Sequence, residues 1–498
     1  MAKSKSKTGN YILLPVTETQ TTADTNPKVK NFLTAVLEPA VSREAVSLKT
    51  RGPEKSAKKI PVKVIDSIQD NGAKLVQLSQ EELADFRFSY PGLRIIKEKF
   101  YKKAQVYRES IQQKAKKTKT TKKLDLTVTD TDGNPVAGIY IVAFTDFESR
   151  TGDSGNTNAK GKLSLTLASK NIERIYVYPE HTYWGYYKTK FSATSLSIKL
   201  QKIDPGYTDS LRHFYDTPQW PKITQKLRVG IIDTGVGPHK DLVVSGGLNC
   251  VANEDPTDFK DNGEGHGTHV AGIVSAYGGV YGLAAGVEIY SYRVFPKEAD
   301  ASNFYIMKAL AQAIQDECDI INMSLGESET DEGISSYIKQ AYNAGILCFC
   351  ANGNDDRGTV SFPANYSLSV AVSAMGRKNT FPKNTVQTGI VKSPYGTDKA
   401  NFIADFSNIG AETDLTAPGV GIISTFPDDL YAIMDGTSMA CPAAVGMAAR
   451  LLAGNPEIMA LPRASARADE MLKYLSTKIQ SLGFGANYEG KGMLLEDK

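Results

Sequence analysis

Arg228-Val229-Gly230-Ile231-Ile232-Asp233-Thr234-Gly235 is an unbroken apolar run that closes on an aspartate and a glycine turn. Apolar residues without alternation mark a strand buried on both faces. The pattern recurs at 288–295, 319–325, 346–353 and 368–374, with helical periodicity between, over 303–316 and 332–344. Buried strands alternating with helices imply an α/β fold, a parallel sheet covered on both faces by helices. In such sheets sites form at the carboxyl ends of strands, where Asp233 falls. This reading covers residues 204–498.

The rest of the chain has a different texture. With 498 residues, about three domains of the usual ~100–200 residues are expected. Residues 1–101 read as a small α+β domain. Strand candidates lie at 11–16, 60–68, 75–78 and 93–96, and Ser79-Gln-Glu-Glu82 opens a helix with a capping box. Residues 102–123 are a basic, Gln- and Thr-rich linker, read as solvated rather than as a nucleic-acid tail. Residues 124–203 carry short alternating strands and an Asp-Gly-Asn-Pro turn, the pattern of a β-sandwich.

Bulk properties exclude some roles. The net charge of +3 gives no field for nucleic acid, and no apolar run approaches the ~20 residues needed to cross a bilayer. The five cysteines, Cys250, Cys318, Cys348, Cys350 and Cys441, are odd in number and read as free thiols. With a lysine-rich start that lacks a secretory pattern, they suggest a cytoplasmic location.

Three residues carry chemistry. Asp233 ends a strand. His266 opens GHGTHVAGIVSA, whose small residues let a helix pack closely on a sheet. Ser438, in DGTSMACP, starts a helix apolar all round, so its N-terminal N–H groups can face a developing oxyanion. A serine hydroxyl needs a base to become a nucleophile, and the base needs a carboxylate to fix its tautomer. Taken singly, each has a plainer reading: a turn aspartate, a packed histidine, a capping serine. His269 makes an HxxH pair with His266, but no third ligand is evident, so a packed core role is expected. Cys441 falls a turn into the helix and is not read as the nucleophile.

Together, GIIDTGVGPHKDL, GHGTHVAGIVSA, INMSLG, ANGND and DGTSMACP resemble, in order, the landmark segments of the subtilisin-like serine proteases. The resemblance implies an Asp233–His266–Ser438 triad and an oxyanion hole of Asn354 and the Ser438 amide. It also implies substrate pairing along Ser324-Leu325-Gly326 and a pocket lined by Gly353 and Ser361. No cofactor is required. Calcium is compatible only through Asp241, because the loop 277–281 lacks the usual asparagine. The second substrate-flanking strand maps to 297–300, and 377–399 reads as an inserted surface loop. Residues 72–101 resemble the family's inhibitor-like propeptide, which implies an intramolecular inhibitor and self-processing of a zymogen near 105–108. Residues 124–203 resemble a carboxypeptidase-regulatory-like module. The implied activity is endopeptidase action on proteins or peptides, and the competing reading is a catalytically silent scaffold that binds protein partners.

Overall fold

The computed structural model describes residues 8–14, 46–49, 59–69, 72–90, 94–104, 106, 108–114 and 121–496. In the N-terminal part, β1 (Thr8–Leu14), β2 (Val46–Lys49), β3 (Lys59–Ser67), β4 (Lys74–Ser79) and β5 (Arg94–Lys97) form an antiparallel sheet in the order β2-β3-β4-β1-β5. The helix α1 (Gln80–Ser89) starts on the capping box read from the sequence, with Ser79 Oγ accepting from Glu82 N–H. Side-chain alternation then divides β1. Leu13 joins Val76, Leu78 and Phe86 under α1. Ile12 and Leu14 face the other way, onto Phe304, Met307 and Ile334 of the C-terminal domain. Both faces of this small sheet are therefore covered, one by its own helix and one by the larger domain. The expected strand residues Pro15, Val16 and Leu93 lie outside the described residues.

The chain then gives β6 (Phe100–Lys103) and β7 (Gln113–Lys114) before the sandwich. Its strands are β8 (Lys122–Asp130), β9 (Tyr140–Asp146), β10 (Thr151–Asn156), β11 (Lys162–Leu167), β12 (Asn171–Tyr178), β13 (Tyr186–Ser192) and β14 (Ser195–Leu200). They form two sheets, β13-β12-β9-β10-β7 and β11-β8-β14. Leu124, Leu126, Val128, Ile141, Ile175 and Ile198 fill the space between them, as alternation along each strand requires.

The C-terminal domain supplies β15 (Arg228–Asp233), β16 (Val244–Asn249), α2 (His266–Ser275), β17 (Glu288–Arg293), β18 (Ala301–Ser302), α3 (Asn303–Gln315), β19 (Ile320–Met323), β20 (Leu325–Gly326), α4 (Glu332–Asn343), β21 (Leu347–Ala351), β22 (Ser369–Arg377), β23 (Asn401–Ile403), β24 (Leu415–Pro418), β25 (Ile422–Phe426), β26 (Leu430–Met434) and α5 (Thr437–Ala453). Seven strands pair in parallel in the order β16-β17-β15-β19-β21-β22-β24, and β23 lies antiparallel on β22. The helices α2 and α5 are buried against one sheet face through Val270, Ile273, Met439 and Val445. The helices α3 and α4 cover the other face through Phe304, Met307, Ile334 and Ile338. The strand order changes direction at β15, so Asp233 stands at the switch point of the sheet.

The segment 377–399 is not a free surface loop. Its Asn384 carbonyl accepts from Tyr187 N–H at 2.7 Å, and Val386 packs with Tyr176, Tyr178 and Tyr187 of the sandwich. Thr182 N–H also donates to the Tyr431 carbonyl at 2.8 Å, tying the sandwich to the hairpin β25–β26. The insertion reads as polar in sequence because its apolar partners come from another domain.

Candidate active site

Asp233, His266 and Ser438 come together at the carboxyl edge of the sheet, and all three are buried. His266 Nδ1–H donates to Asp233 Oδ1 at 2.7 Å, and the same oxygen accepts from Thr234 N–H at 2.7 Å. The turn before α2 is held by Asp261. Its Oδ1 accepts from Gly263 and Gly265 N–H, and its Oδ2 from Thr268 Oγ1. Gly265 must be glycine: its φ is +77°, and a Cβ there would lie 2.0 Å from the Phe426 ring. His266 Nε2 has no hydrogen-bond partner among the described residues. Ser438 Oγ instead donates to the Ser324 carbonyl at 3.1 Å. A nucleophile–base pair would need the Ser438 side chain to turn toward Nε2.

The Ser438 N–H and the Asn354 side chain adjoin this hydroxyl through Thr437. Ser438 N–H lies in the first turn of α5, where helical N–H groups lack internal acceptors and the dipole is positive. Asn354 Oδ1 accepts from both Thr437 N–H (2.9 Å) and Thr437 Oγ1 (3.0 Å). Its Nδ2 is buried without a partner among the described residues. Thr437 is a positioning residue that the sequence reading passed over, although it lies inside the DGTSMACP motif.

Asn352 turns away from the site, donating to Thr413 Oγ1 at 2.9 Å and the Asn408 carbonyl at 3.3 Å. Gly353 and Ser361 lie against each other. A Cβ on Gly353, at φ +102°, would stand 2.3 Å from Ser361 Oγ. Asn408, also unforeseen, bridges Ser361 Oγ, the Thr359 carbonyl and Asp355.

The cleft holds part of its own chain. β6 runs antiparallel between β18 and β20, pairing Tyr101 with Ala301 and Lys103 with Leu325. The flanking strand is thus Ala301–Ser302, while 297–300 forms the turn before it. Ala104 N–H donates to the Ser324 carbonyl, and the Ala104 carbonyl accepts from Ser438 N–H, both at 3.0 Å. Tyr101 is fully buried beside Phe362, and Lys103 Nζ meets Glu264 at 2.5 Å. Gln105 and Tyr107 lie outside the described residues.

Other ionisable groups are explained by packing. His269 Nε2–H donates to the Ile422 and Ala432 carbonyls, and burial lowers its pKa to about 3, so it is a neutral brace. Burial pushes the Cys441 thiol well up. Among the described residues no His, Cys, Asp and Glu cluster forms a metal site. Asp241 Oδ2 accepts from Gly279 N–H (2.8 Å), Val280 N–H (3.3 Å) and the Tyr431 hydroxyl (2.7 Å). A ring of donors does not fit a cation, which needs further oxygen acceptors.

Asp435 carries a pH signature. Burial raises its carboxyl to about 6, against the opposing pull of hydrogen bonds from Gly421 N–H and Gln387 Nε2. The folded pKa lies above the unfolded value of about 3.9, so the folded state holds the proton more tightly. This contribution is full below about pH 4 and is lost as pH rises towards 6. Asp435→Asn is therefore expected to gain on the wild type by on the order of 1 kcal/mol, discounted for partial exposure, between pH 4 and 6. Thermal melts across that range check it, with the difference flat above pH 7.

Comparison with known proteins gives the family. The model described as "Subtilase family" matches residues 224–485. Subtilisin DY of Bacillus licheniformis is 33% identical over 276 residues, which cover 54% of this chain and 88% of the relative. Subtilisin Savinase of Lederbergia lenta is 34% identical over 233 residues, 46% of this chain and 77% of the relative. Minor extracellular protease Epr of Bacillus subtilis (strain 168) is 34% identical over 236 residues, 47% of this chain and only 33% of the relative. The cytoplasmic location suggested by the N-terminus and the thiols is overturned by these relatives, since a protease this similar is extracellular. Buried thiols report packing in this domain and not a redox compartment.

Proposed function

Because the chain belongs to the subtilase family and is a subtilisin-type serine endopeptidase, we propose that Ser438 is the nucleophile and that the first peptide bond it meets is its own, after Ala104. His266 takes the Ser438 proton and returns it to the leaving amine, and Asp233 holds the imidazole. Asn354 Nδ2 and Ser438 N–H take the oxyanion. Ser324, Leu325 and Gly326 hold the substrate main chain by β-augmentation, and Gly353 with Ser361 lines the pocket for the side chain before the scissile bond.

The observation that carries the self-processing reading is the Ala104 carbonyl on Ser438 N–H, with a strand paired on each side. On this reading 1–101 is an inhibitor-like domain, 102–123 its cleavable linker, 124–203 an accessory β-sandwich and 204–498 the catalytic domain. Residues 100–104 block the cleft until cut, one position ahead of the stretch that the sequence suggested. Intact mass of the purified chain tests it. One fragment should end at Ala104 and another should begin at Gln105. An uncut chain that also fails on added peptides would favour the scaffold reading.

The chemistry needs no cofactor. With Asp241 Oδ2 taken up by three donors, chelation by EDTA is expected to leave Tm unchanged. A clear fall in Tm, reversed by added calcium, would show a cation site elsewhere in the chain.

A further inference from the structure

We propose that the β-sandwich completes the substrate cleft on its leaving-group side, with Arg150 and its aromatic supports forming a subsite for a carboxylate side chain five residues after the scissile bond. The inference rests on the reading that the bond after Ala104 is the one presented to Ser438.

With Ala104 at Ser438, the register of the downstream segment is set. Val106 N–H donates to the Asp435 carbonyl at 3.1 Å, so the segment leaves along the loop that carries the catalytic serine. Farther on, Gln112 and Gln113 N–H both donate to the Arg150 carbonyl, and β7 pairs in parallel with β10. The chain thus crosses from the catalytic domain to the sandwich between residues 106 and 112. The two domains bound a cleft of about 1540 Å³ there, with Gln387, Ile433 and Asp435 on one wall and Arg150, Arg174 and Tyr178 on the other.

Glu109, the fifth residue after Ala104, lies in that cleft. Its carboxylate is ion-paired with Arg150 Nη1, and its N–H donates to the Tyr178 hydroxyl at 3.4 Å. The arginine is held for this contact. Its guanidinium lies 4.1 Å from the Phe147 ring centre and 5.8 Å from that of Phe144, while Arg174 stacks on Phe147 at 3.6 Å. A guanidinium fixed over aromatic faces loses little freedom when it binds a carboxylate, and a second nearby guanidinium raises the local positive potential. Phe147 N–H is itself anchored by Glu173 Oε2 at 2.8 Å. Arg174 also contacts Glu173, at 3.8 Å, so Arg150 is the guanidinium placed to take an incoming acid. Position and charge together favour Asp or Glu at this place in the segment presented for self-cleavage.

Self-cleavage of the full chain tests the subsite, with rate and cut position read by intact mass. Glu109→Gln is expected to slow the cut about threefold and Glu109→Lys about tenfold, in line with a partly exposed, charge-assisted pair. The exchanged pair Glu109→Lys with Arg150→Glu should recover most of the wild-type rate, which a role of Arg150 confined to its stacking on Phe147 would not allow. A Glu109→Lys chain cut after Ala104 as fast as wild type, or an exchanged pair no faster than either single variant, would overturn the subsite. A wild-type chain cut elsewhere would overturn the register beneath it, and the two failures are told apart by the fragment masses.

Discussion

Ser438→Ala is expected to lower peptide hydrolysis by about 10⁶-fold and to leave the chain uncut, the magnitude being the one known for the same change in subtilisin. The loss is large because no other group in the site replaces the hydroxyl. Cys441 lies farther into α5, is fully buried and has its thiol pushed well up by burial. The fold should tolerate the change. Among the described residues Ser438 Oγ makes a single hydrogen bond, to the Ser324 carbonyl; the contact of Ser438 with Ala104 runs through its main-chain N–H, and Thr437 holds Asn354 through groups of its own. Circular dichroism should therefore match wild type while turnover vanishes. Activity above about 1% of wild type, two decades rather than six, would remove Ser438 from the role of nucleophile.

Asn354→Ala is expected to reduce kcat by about 10²–10³ with KM little changed, again the size known for subtilisin. The selectivity for kcat follows from where the amide acts. Its Oδ1 is pinned twice by Thr437, so Nδ2 is presented at fixed orientation without side-chain reordering at the moment of reaction. A donor that strengthens only as charge develops contributes to the transition state and not to ground-state binding. Asn354→Asp sharpens the test. It keeps the acceptor for Thr437 but sets a negative charge where the oxyanion forms, so it should be at least as slow as the alanine variant. A raised KM with unchanged kcat would instead assign Asn354 to substrate binding.

What could be read from the sequence was local. Asp233, His266 and Ser438 each sit where a buried strand or helix meets a glycine turn, and such turns are written in a few adjacent residues. The α/β alternation was legible for the same reason, since the apolar period of each element is its own. The details that failed depend on distant partners. Ala301 and Ser302, not 297–300, flank β6, because the turn at 297–300 is longer than the pattern suggests. Residues 377–399 look like a polar loop until the tyrosines of the sandwich are set against Val386. The hydrogen bond that Tyr431, 190 positions away, donates to Asp241 has no local signal either. No local signal marks Ala104 as the residue at Ser438. Its place is fixed by β5 and by the pairing of β6 with strands about 200 residues downstream.

Covalent labelling tests the central claim most directly. The processed enzyme would be treated with a fluorophosphonate and its peptides mapped by mass. One adduct is expected, on the peptide carrying Ser438, and none when the processed enzyme is denatured before the reagent is added. Hydrolysis that continues without an adduct, or an adduct on a different serine that tracks with loss of activity, would contradict it.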